Sequence, residues 1–134
     1  MRYMLDTNIC IFAIKKRPEG VLAHLKSHTP EEICISSVTY GELCHGVEKS
    51  QAVMRNRLAL TMFLSHIAIL PFDDSAAQEY GKVRAALEKS GTPIGLLDTL
   101  IAAHARSLGL TLVTNNTREI QRVEDLRIED WAAG

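Results

Sequence analysis

"RYMLDTN", residues 2–8, is a short apolar run that ends abruptly in an acid, a hydroxyl and an amide. The run predicts a strand over residues 2–5, and the residues after it predict a helix over 8–16. A strand followed at once by a helix would bring the acid, the hydroxyl and the amide to one place. That place is the carboxyl end of the first strand, and the rest of the sequence indicates its purpose.

The alternation of strand and helix continues along the chain. Further strands are predicted at residues 33–35, 67–72 and 110–115, with a small edge strand within 126–131. The segments between them predict helices at 18–28, 38–49, 51–67, 75–91 and 96–109, and a short helix after residue 115. This pattern predicts an α/β fold made of βαβ units, a parallel β-sheet flanked by α-helices on both faces, in a single domain spanning residues 1–134.

The composition excludes several classes of protein. Hydrophobic residues make up 46% of the chain, which is enough for a core. Cys10, Cys34 and Cys44 are odd in number and lack C-x-x-C spacing, which argues against a disulfide framework or a zinc knuckle and favours buried apolar roles. The apolar runs are too short to span a bilayer and no signal peptide is evident, so we expect a cytoplasmic protein without membrane contact.

The net charge of −1 restricts how the chain could bind nucleic acid. A protein that held a polyanion by bulk charge alone would be more basic. Local basic patches or a bound cation must therefore supply the attraction. The candidate patches lie on two predicted helices and comprise Lys15, Lys16 and Arg17, and Lys82, Arg84 and Lys89, although each could equally be an ordinary solvated side chain.

Acids and amides recur where the predicted strands end. Parallel sheets bind ligands beyond the carboxyl ends of their strands, so these residues are expected at one edge. Asp6 follows the first strand, and Glu42 lies about one turn into the helix after the second. The others come from the last third of the chain and are Asp98, Thr114, Asn115, Asn116 and Glu119.

Each of these residues also has an interpretation as a helix cap. Asp6, Asp98 and Asn116 could each cap the helix that follows, and Thr39 with Glu42 fits a capping box. Together, however, crowded carboxylates repel and resist ionisation unless a cation neutralises them. Hard cations such as Mg²⁺ or Mn²⁺ prefer oxygen ligands and would convert the cluster into a site for phosphoryl chemistry.

Other catalytic chemistries lack support. The five histidines show no zinc spacing and no H-E-x-x-H, and His104 is best interpreted as a satisfied core residue. Ser36 and Ser37 lack a G-x-S-x-G elbow, and no G-x-x-x-x-G-K-[ST] is present. A phosphoryl-aspartate enzyme would need a second acid two residues after Asp6, where this chain has Asn8.

Four segments of the chain resemble the VapC toxins, which are PIN-domain ribonucleases of bacterial toxin–antitoxin pairs. The segments are "MLDTNICIF", "ISSVTYGELCHGVEKS", "GTPIGLLDTLIAAHARSLGLTLVTNNTREIQRV" and "IEDW". Their order and spacing cover nearly the whole chain. The resemblance implies a PIN fold and Mg²⁺- or Mn²⁺-dependent endoribonuclease activity on structured RNA. A transfer RNA anticodon loop is the leading substrate, initiator tRNA included.

The resemblance also assigns roles to particular residues. It implies metal binding by Asp6, Glu42 and Asp98, with Glu119 as a further catalytic acid. Many PIN domains have an aspartate where this chain has Asn116, which is expected to hydrogen-bond to a ligand or water. Relatives also often have a proline in the "GLLD" loop, which this chain lacks. Thr7 and Thr114 resemble hydroxyls that orient the carboxylates.

The partners implied by the resemblance are a VapB-type antitoxin, a second copy of the chain in a homodimer, and operator DNA reached only through the antitoxin. Two other functions stay open from the residues alone. One is a PIN-like metal-dependent nuclease that acts on DNA or ribosomal RNA. The other is a non-catalytic interaction module in which the acids only cap helices.

Overall fold

The computed structural model describes residues 1–133, and within them it contains five strands and seven α-helices. In chain order the elements are β1 (Tyr3–Leu5), α1 (Thr7–Lys15), α2 (Glu19–Lys26), β2 (Ile33–Ser36), α3 (Ser37–Glu48), α4 (Val53–Phe63), β3 (Ala68–Leu70), α5 (Asp74–Lys89), α6 (Leu96–Ser107), β4 (Thr111–Val113), α7 (Thr117–Ile120) and β5 (Ile128–Glu129). The predicted alternation of strands and helices is confirmed, including the small edge strand near the end.

The strands form one parallel sheet in the order β3-β2-β1-β4-β5. The first strand lies at the centre, with Tyr3 beside Ile33 on one side and Thr111 on the other. Because every pairing is parallel, the carboxyl ends of all strands lie at the same edge. The predicted parallel α/β fold is therefore confirmed, and its edge gathers the residues that follow β1, β2 and β4.

The sheet separates two hydrophobic layers. Tyr3 and Leu5 point to one layer and Met4 to the other, as the two-residue period of a strand requires. The layer beneath Tyr3 and Leu5 includes Ile9 of α1, and the layer beneath Met4 includes Ile101 of α6. One layer thus packs against α1 and the other against α6. The first turns of these two helices flank the edge described above.

An aromatic cluster attaches the end of the chain to α2. The indole of Trp131 lies parallel to His24 and His28, with ring centroids 5.1 Å and 5.4 Å away, and meets Tyr3 edge-on at 5.3 Å. Its Nε1 donates a hydrogen bond to Glu129 Oε1 over 2.9 Å. The indole is almost fully buried, so this cluster closes one side of the core.

Two predicted helix caps differ from the structure. The helix predicted over 38–49 begins at Ser37, because the side chain of Ser36 accepts a hydrogen bond from the Val38 N–H over 3.0 Å. The interpretation of Thr39 and Glu42 as a capping box is therefore wrong. The cap of α6 is Gly95, which places Asp98 inside the first turn, so the cap interpretation of Asp98 is also wrong.

Two expectations about the bulk properties can be compared with the structure. None of the helices in the range 1–133 combines the length and the apolarity that crossing a bilayer requires. The three cysteines are free, and Cys10 and Cys34 are buried, whereas Cys44 is partly exposed. Cys44 nevertheless packs against the hydrophobic core, so its expected apolar role is confirmed and only its expected full burial is wrong.

Candidate active site

An open cavity of about 470 Å³ lies at the carboxyl edge of the sheet. It contains three of the predicted acids, Asp6, Glu42 and Asp98, which come from three distant segments of the chain. The complete lining consists of Asp6, Thr7, Asn8, Glu42, Gly95, Leu96, Leu97 and Asp98. Two aliphatic side chains, Leu96 and Leu97, stand exposed beside these acids. The sequence analysis missed them, although two leucines just before an acid on a helix are a visible signal.

Asp6 is the most buried of the acids, with 6% of its surface exposed. It follows β1 and caps α1, because its Oδ1 accepts a hydrogen bond from the Ile9 N–H over 2.9 Å. The pKa of Asp6 is raised from 3.8 to about 6, chiefly by burial and also by the charges of Asp98 and Glu42, whereas the hydrogen bonds from Thr114 and from the Ile9 N–H oppose this rise. Asp6 is thus both a cap and a carboxylate that resists ionisation.

Glu42 is fixed by a hydroxyl from the neighbouring helix. The Oγ1 of Thr7 donates a hydrogen bond to Glu42 Oε1 over 2.6 Å, and the same hydroxyl lies 3.5 Å from Thr39 Oγ1. This contact joins the first turn of α1 to α3 across the cavity. The geometry therefore places Thr7 where a residue that orients a carboxylate would be expected.

Asn116 joins two further acids through its side-chain amide. Its Nδ2 lies 3.1 Å from Asp98 Oδ2 and 3.3 Å from Glu119 Oε2, so one amide donates to both carboxylates. Asn116 precedes α7 but makes no side-chain cap to it, so the cap interpretation of this residue is wrong. The backbone N–H of Asn116 donates to Thr114 Oγ1 over 3.0 Å. The predicted residues Asn116 and Glu119 are therefore linked to Asp98 through the amide of Asn116.

The ionisation of Asp98 is also disfavoured. Burial raises the pKa of Asp98, and the charge of Glu119 raises this pKa as well, whereas the amide of Asn116 lowers it. Thr114 contacts both Asp6 and Asn116. Neutral hydrogen-bonding groups therefore connect three of the acids. Asp6 contacts Thr114, Thr114 contacts Asn116, and Asn116 contacts both Asp98 and Glu119.

The cluster of acids has no positive partner of its own. Among residues 1–133, no lysine, arginine or histidine forms an ion pair with any of these four carboxylates. Nor do any three acidic, histidine or cysteine side chains in this range form a ready-made metal cage. Mg²⁺ commonly binds one or two protein carboxylates and completes its shell with water and substrate phosphates. The oxygen donors of this cavity fit that mode of binding.

A buried polar contact supports the site from below. His104 in α6 is almost fully buried, and its Nδ1 lies 2.8 Å from the Oγ of Ser36, the cap of α3. This contact confirms that His104 is a satisfied core residue. It also links the helix that contains Asp98 to the helix that contains Glu42. The sequence analysis did not predict this pairing, because 68 residues separate its two members.

Basic residues lie near the cavity on two sides. Lys15 and Lys49 line a groove that also reaches Glu42. Arg84 lines a small cavity that shares Leu96 with the carboxylate cavity. Lys15 and Arg84 are among the predicted phosphate contacts, whereas Lys49 was missed.

The similarity of this chain to known proteins identifies its family. Residues 3–126 match the PIN domain family, which confirms the predicted fold. The chain is 49% identical over 132 residues to the tRNA(fMet)-specific endonuclease VapC of Shigella flexneri, covering 98% of this chain and 99% of that protein. It is 46% identical to ribonuclease VapC2 of Haemophilus influenzae strain Rd, with 98% of each chain covered. The chain therefore belongs to the VapC family of PIN-domain ribonucleases, as its resemblance implies.

A solved structure extends this likeness to three dimensions. The crystal structure of DNA-bound VapBC from Salmonella typhimurium superposes with a TM-score of 0.93 at 46% identity, covering 98% of each chain. The fold of this chain is thus the fold found in a DNA-bound VapBC complex.

Proposed function

We propose that this protein is the toxin of a VapBC pair and that it cleaves structured RNA with the help of Mg²⁺ or Mn²⁺. The observation that carries this proposal is the meeting of Asp6, Glu42 and Asp98 in one cavity, where none of them forms an ion pair with another residue of the range 1–133. Like charges gathered in one cavity are tolerated when a cation joins them. A polyanionic substrate could approach such a site only if that cation were present.

The residues of the cavity divide the work of hydrolysis. Asp6, Asp98 and Glu42 would hold a divalent ion, directly or through water, which when bound supplies an acidified water and positive charge for the phosphate. Thr7 holds Glu42 in place through its 2.6 Å hydrogen bond. The amide of Asn116 links Glu119 to Asp98, and Glu119 would orient water. No step uses the 2′-hydroxyl, so the products would have 5′-phosphate and 3′-hydroxyl ends.

The proposed substrate is a transfer RNA, cut in its anticodon loop. Two relatives, from Shigella flexneri and Salmonella typhimurium, are tRNA(fMet)-specific endonucleases. Initiator tRNA is therefore the leading candidate for this chain. Exposed Leu96 and Leu97 offer apolar surface for nucleobases beside the carboxylates, and Lys15 and Lys49 offer positive charge for neighbouring phosphates.

The proposed protein partners are a VapB-type antitoxin and a second copy of the chain. The antitoxin's tail would lie across the cavity and block it, and operator DNA would be contacted through the antitoxin. Met54, Leu58 and Met62 recur every four residues on α4 and are strongly exposed. We propose that two copies of the chain associate through a surface that includes these three residues.

A cleavage assay tests the proposed function. Purified protein is incubated with labelled initiator tRNA, an elongator tRNA and single-stranded DNA, with Mg²⁺, Mn²⁺ or EDTA. Cleavage of initiator tRNA with either metal, and none with EDTA, is expected. Cleavage of DNA with intact tRNA would instead favour the alternative of a DNA-acting nuclease.

The Asp6→Asn variant distinguishes catalysis from capping. Asparagine caps helices as well as aspartate does, so α1 should persist while cleavage is lost. Asp73→Asn is the matched control, because Asp73 caps α5 in the same way, accepting from the Ala76 N–H over 3.0 Å. If both variants retain full cleavage, the acids do not act as proposed. If wild-type protein cleaves no nucleic acid, the interaction-module alternative is favoured.

A further inference from the structure

We infer that Asn116 is a positioning residue that holds Asp98 and Glu119 together without positive charge, and so limits the site to one divalent ion. This inference rests on the proposed function, because it concerns how the same carboxylates receive a metal. It goes further by assigning a role to the one neutral side chain between two acids.

The geometry defines what the amide does. A side-chain amide nitrogen has two hydrogens, and here one can be donated to Asp98 over 3.1 Å and the other to Glu119 over 3.3 Å. The reversed orientation would place the amide oxygen against two carboxylate oxygens, which repel it. The neighbours therefore fix which way the amide points.

The backbone holds this amide in position. The N–H of Asn116 is donated to Thr114 Oγ1, and the side chain makes no capping hydrogen bond to the backbone of α7, although it contacts the Glu119 side chain on that helix. Asparagine at a helix start usually caps the helix. Here that use is given up, and the side chain turns towards carboxylates from two elements instead.

The electrostatic setting explains why the contact matters. Within the range 1–133, neither Asp98 nor Glu119 forms an ion pair with a lysine, arginine or histidine. The charge of Glu119 contributes to the raised pKa of Asp98, and the amide of Asn116 opposes that rise. The amide thus reduces a repulsion that a cation would otherwise have to relieve.

The same contact excludes a second ion from this part of the site. A cation placed between Asp98 and Glu119 would face the N–H groups of Asn116, whose positive ends point at the same oxygens. A carboxylate at position 116 would reverse this, because three acids would then surround the space that the amide fills. Position 116 therefore decides whether the site takes one ion or two.

Metal titration of three variants tests the inference. Asn116→Asp adds a carboxylate, Asn116→Ser removes the amide without adding charge, and Asn115→Asp is the matched control, since Asn115 is the exposed neighbour. Isothermal titration with Mn²⁺ gives the number of ions per chain. We expect about one for wild type and Asn115→Asp, about two for Asn116→Asp, and a second, weaker ion for Asn116→Ser.

Thermal unfolding in EDTA provides a readout that is independent of metal and of activity. Asn116→Asp should unfold at a lower temperature than Asn115→Asp, and Mn²⁺ should remove that difference. If both Asn116 variants fold and bind Mn²⁺ like the control, the inference is overturned. Two ions on wild-type protein would overturn it while leaving the proposed function intact, whereas no uptake at all by wild type would overturn both.

Discussion

The two edges of the sheet treat charge in opposite ways. At the amino edge, Arg2 lies 3.2 Å from Glu32 and His28 lies 3.5 Å from the same carboxylate. The pKa of Glu32 is lowered there, chiefly by the N–H of Thr29. At the carboxyl edge, the acids contact hydroxyls and amides and, within residues 1–133, form no ion pair, and the pKa of Asp6 is raised to about 6, chiefly by burial.

This difference separates stability from function within one sheet. At the amino edge the chain supplies its own positive charges, so the acid there favours folding. At the carboxyl edge the chain leaves negative charge uncompensated, and folding proceeds in spite of it. Positions that lower stability in this way are characteristic of functional sites.

The largest effect is expected from removing the charge of Asp6. Asp6→Asn should reduce RNA cleavage by at least about 100-fold, because the charge of a proposed metal ligand is lost. Growth arrest on expression should be lost as well. Cleavage rates and growth curves measure this, with Asp73→Asn as the variant that should behave like wild type. Comparable losses in both variants would show that capping, and not the charge at the carboxyl edge, is what matters.

Because the pKa of Asp6 is raised in the folded state, the free energy of unfolding should decrease as pH rises. Between about pH 4 and pH 6 the folded protein binds more protons at Asp6 than the unfolded chain does, so stability falls as pH rises. Because folding raises the pKa of Asp6 from 3.8 to about 6, the free energy of unfolding at neutral pH is lower by at most about 3 kcal/mol. Urea unfolding at several pH values in EDTA measures it.

Two changes should reduce this pH-dependent loss of stability. Mg²⁺ should restore stability at neutral pH, and Asp6→Asn should be more stable than wild type there in the absence of metal. A variant less stable than wild type at neutral pH would show that the repulsion is compensated within the chain.

A smaller effect is expected at the neutral contact beneath the carboxyl edge. His104→Leu should lower the free energy of unfolding by about 1–3 kcal/mol, because the buried hydroxyl of Ser36 loses one of its two hydrogen-bond partners and keeps only the Val38 N–H. His45→Leu is the control, since His45 is exposed on the surface of α3. Urea unfolding of both variants measures the difference. Equal stability of the two would mean that the contact does not hold α3 against α6.

The smallest effect is expected at the amino edge. Arg2→Ala removes an ion pair whose arginine is 65% exposed, and such pairs contribute little because water screens them. Thermal unfolding should shift only slightly, and tRNA cleavage should not change. The lowered pKa of Glu32 makes any contribution disappear as pH falls through that value. A marked loss of cleavage in Arg2→Ala would contradict the division of roles between the edges.

The sequence predicts the elements of this fold better than it predicts how their ends are used. Apolar periodicity places the strands, and the parallel arrangement follows from their alternation with helices. Capping is different, because Ser36, Thr39 and Asn116 are all suitable caps by residue type. Long-range partners decide between them: His104 contacts Ser36, and Asp98 attracts the amide of Asn116.

The site shows the same limit. The positions of Asp6, Glu42 and Asp98 around one cavity could be predicted, since each comes directly after a strand or within the first two turns of a helix that starts at the same edge. The role of the amide could not, because an aspartate and an asparagine at position 116 are compatible with the same local structure. Only the three-dimensional neighbours show that a neutral donor stands between two acids.

The stacking of Trp131 on His24 and His28 gives the protein a built-in optical reporter. It is the single tryptophan of the chain, and its ring contacts involve none of the residues that line the carboxylate cavity. Its fluorescence should therefore follow the opening of the core when the whole domain unfolds, while substitutions at the cavity leave the emission of the folded state unchanged. Folding can thus be followed by fluorescence in wild-type protein and in cavity variants alike, without any added label.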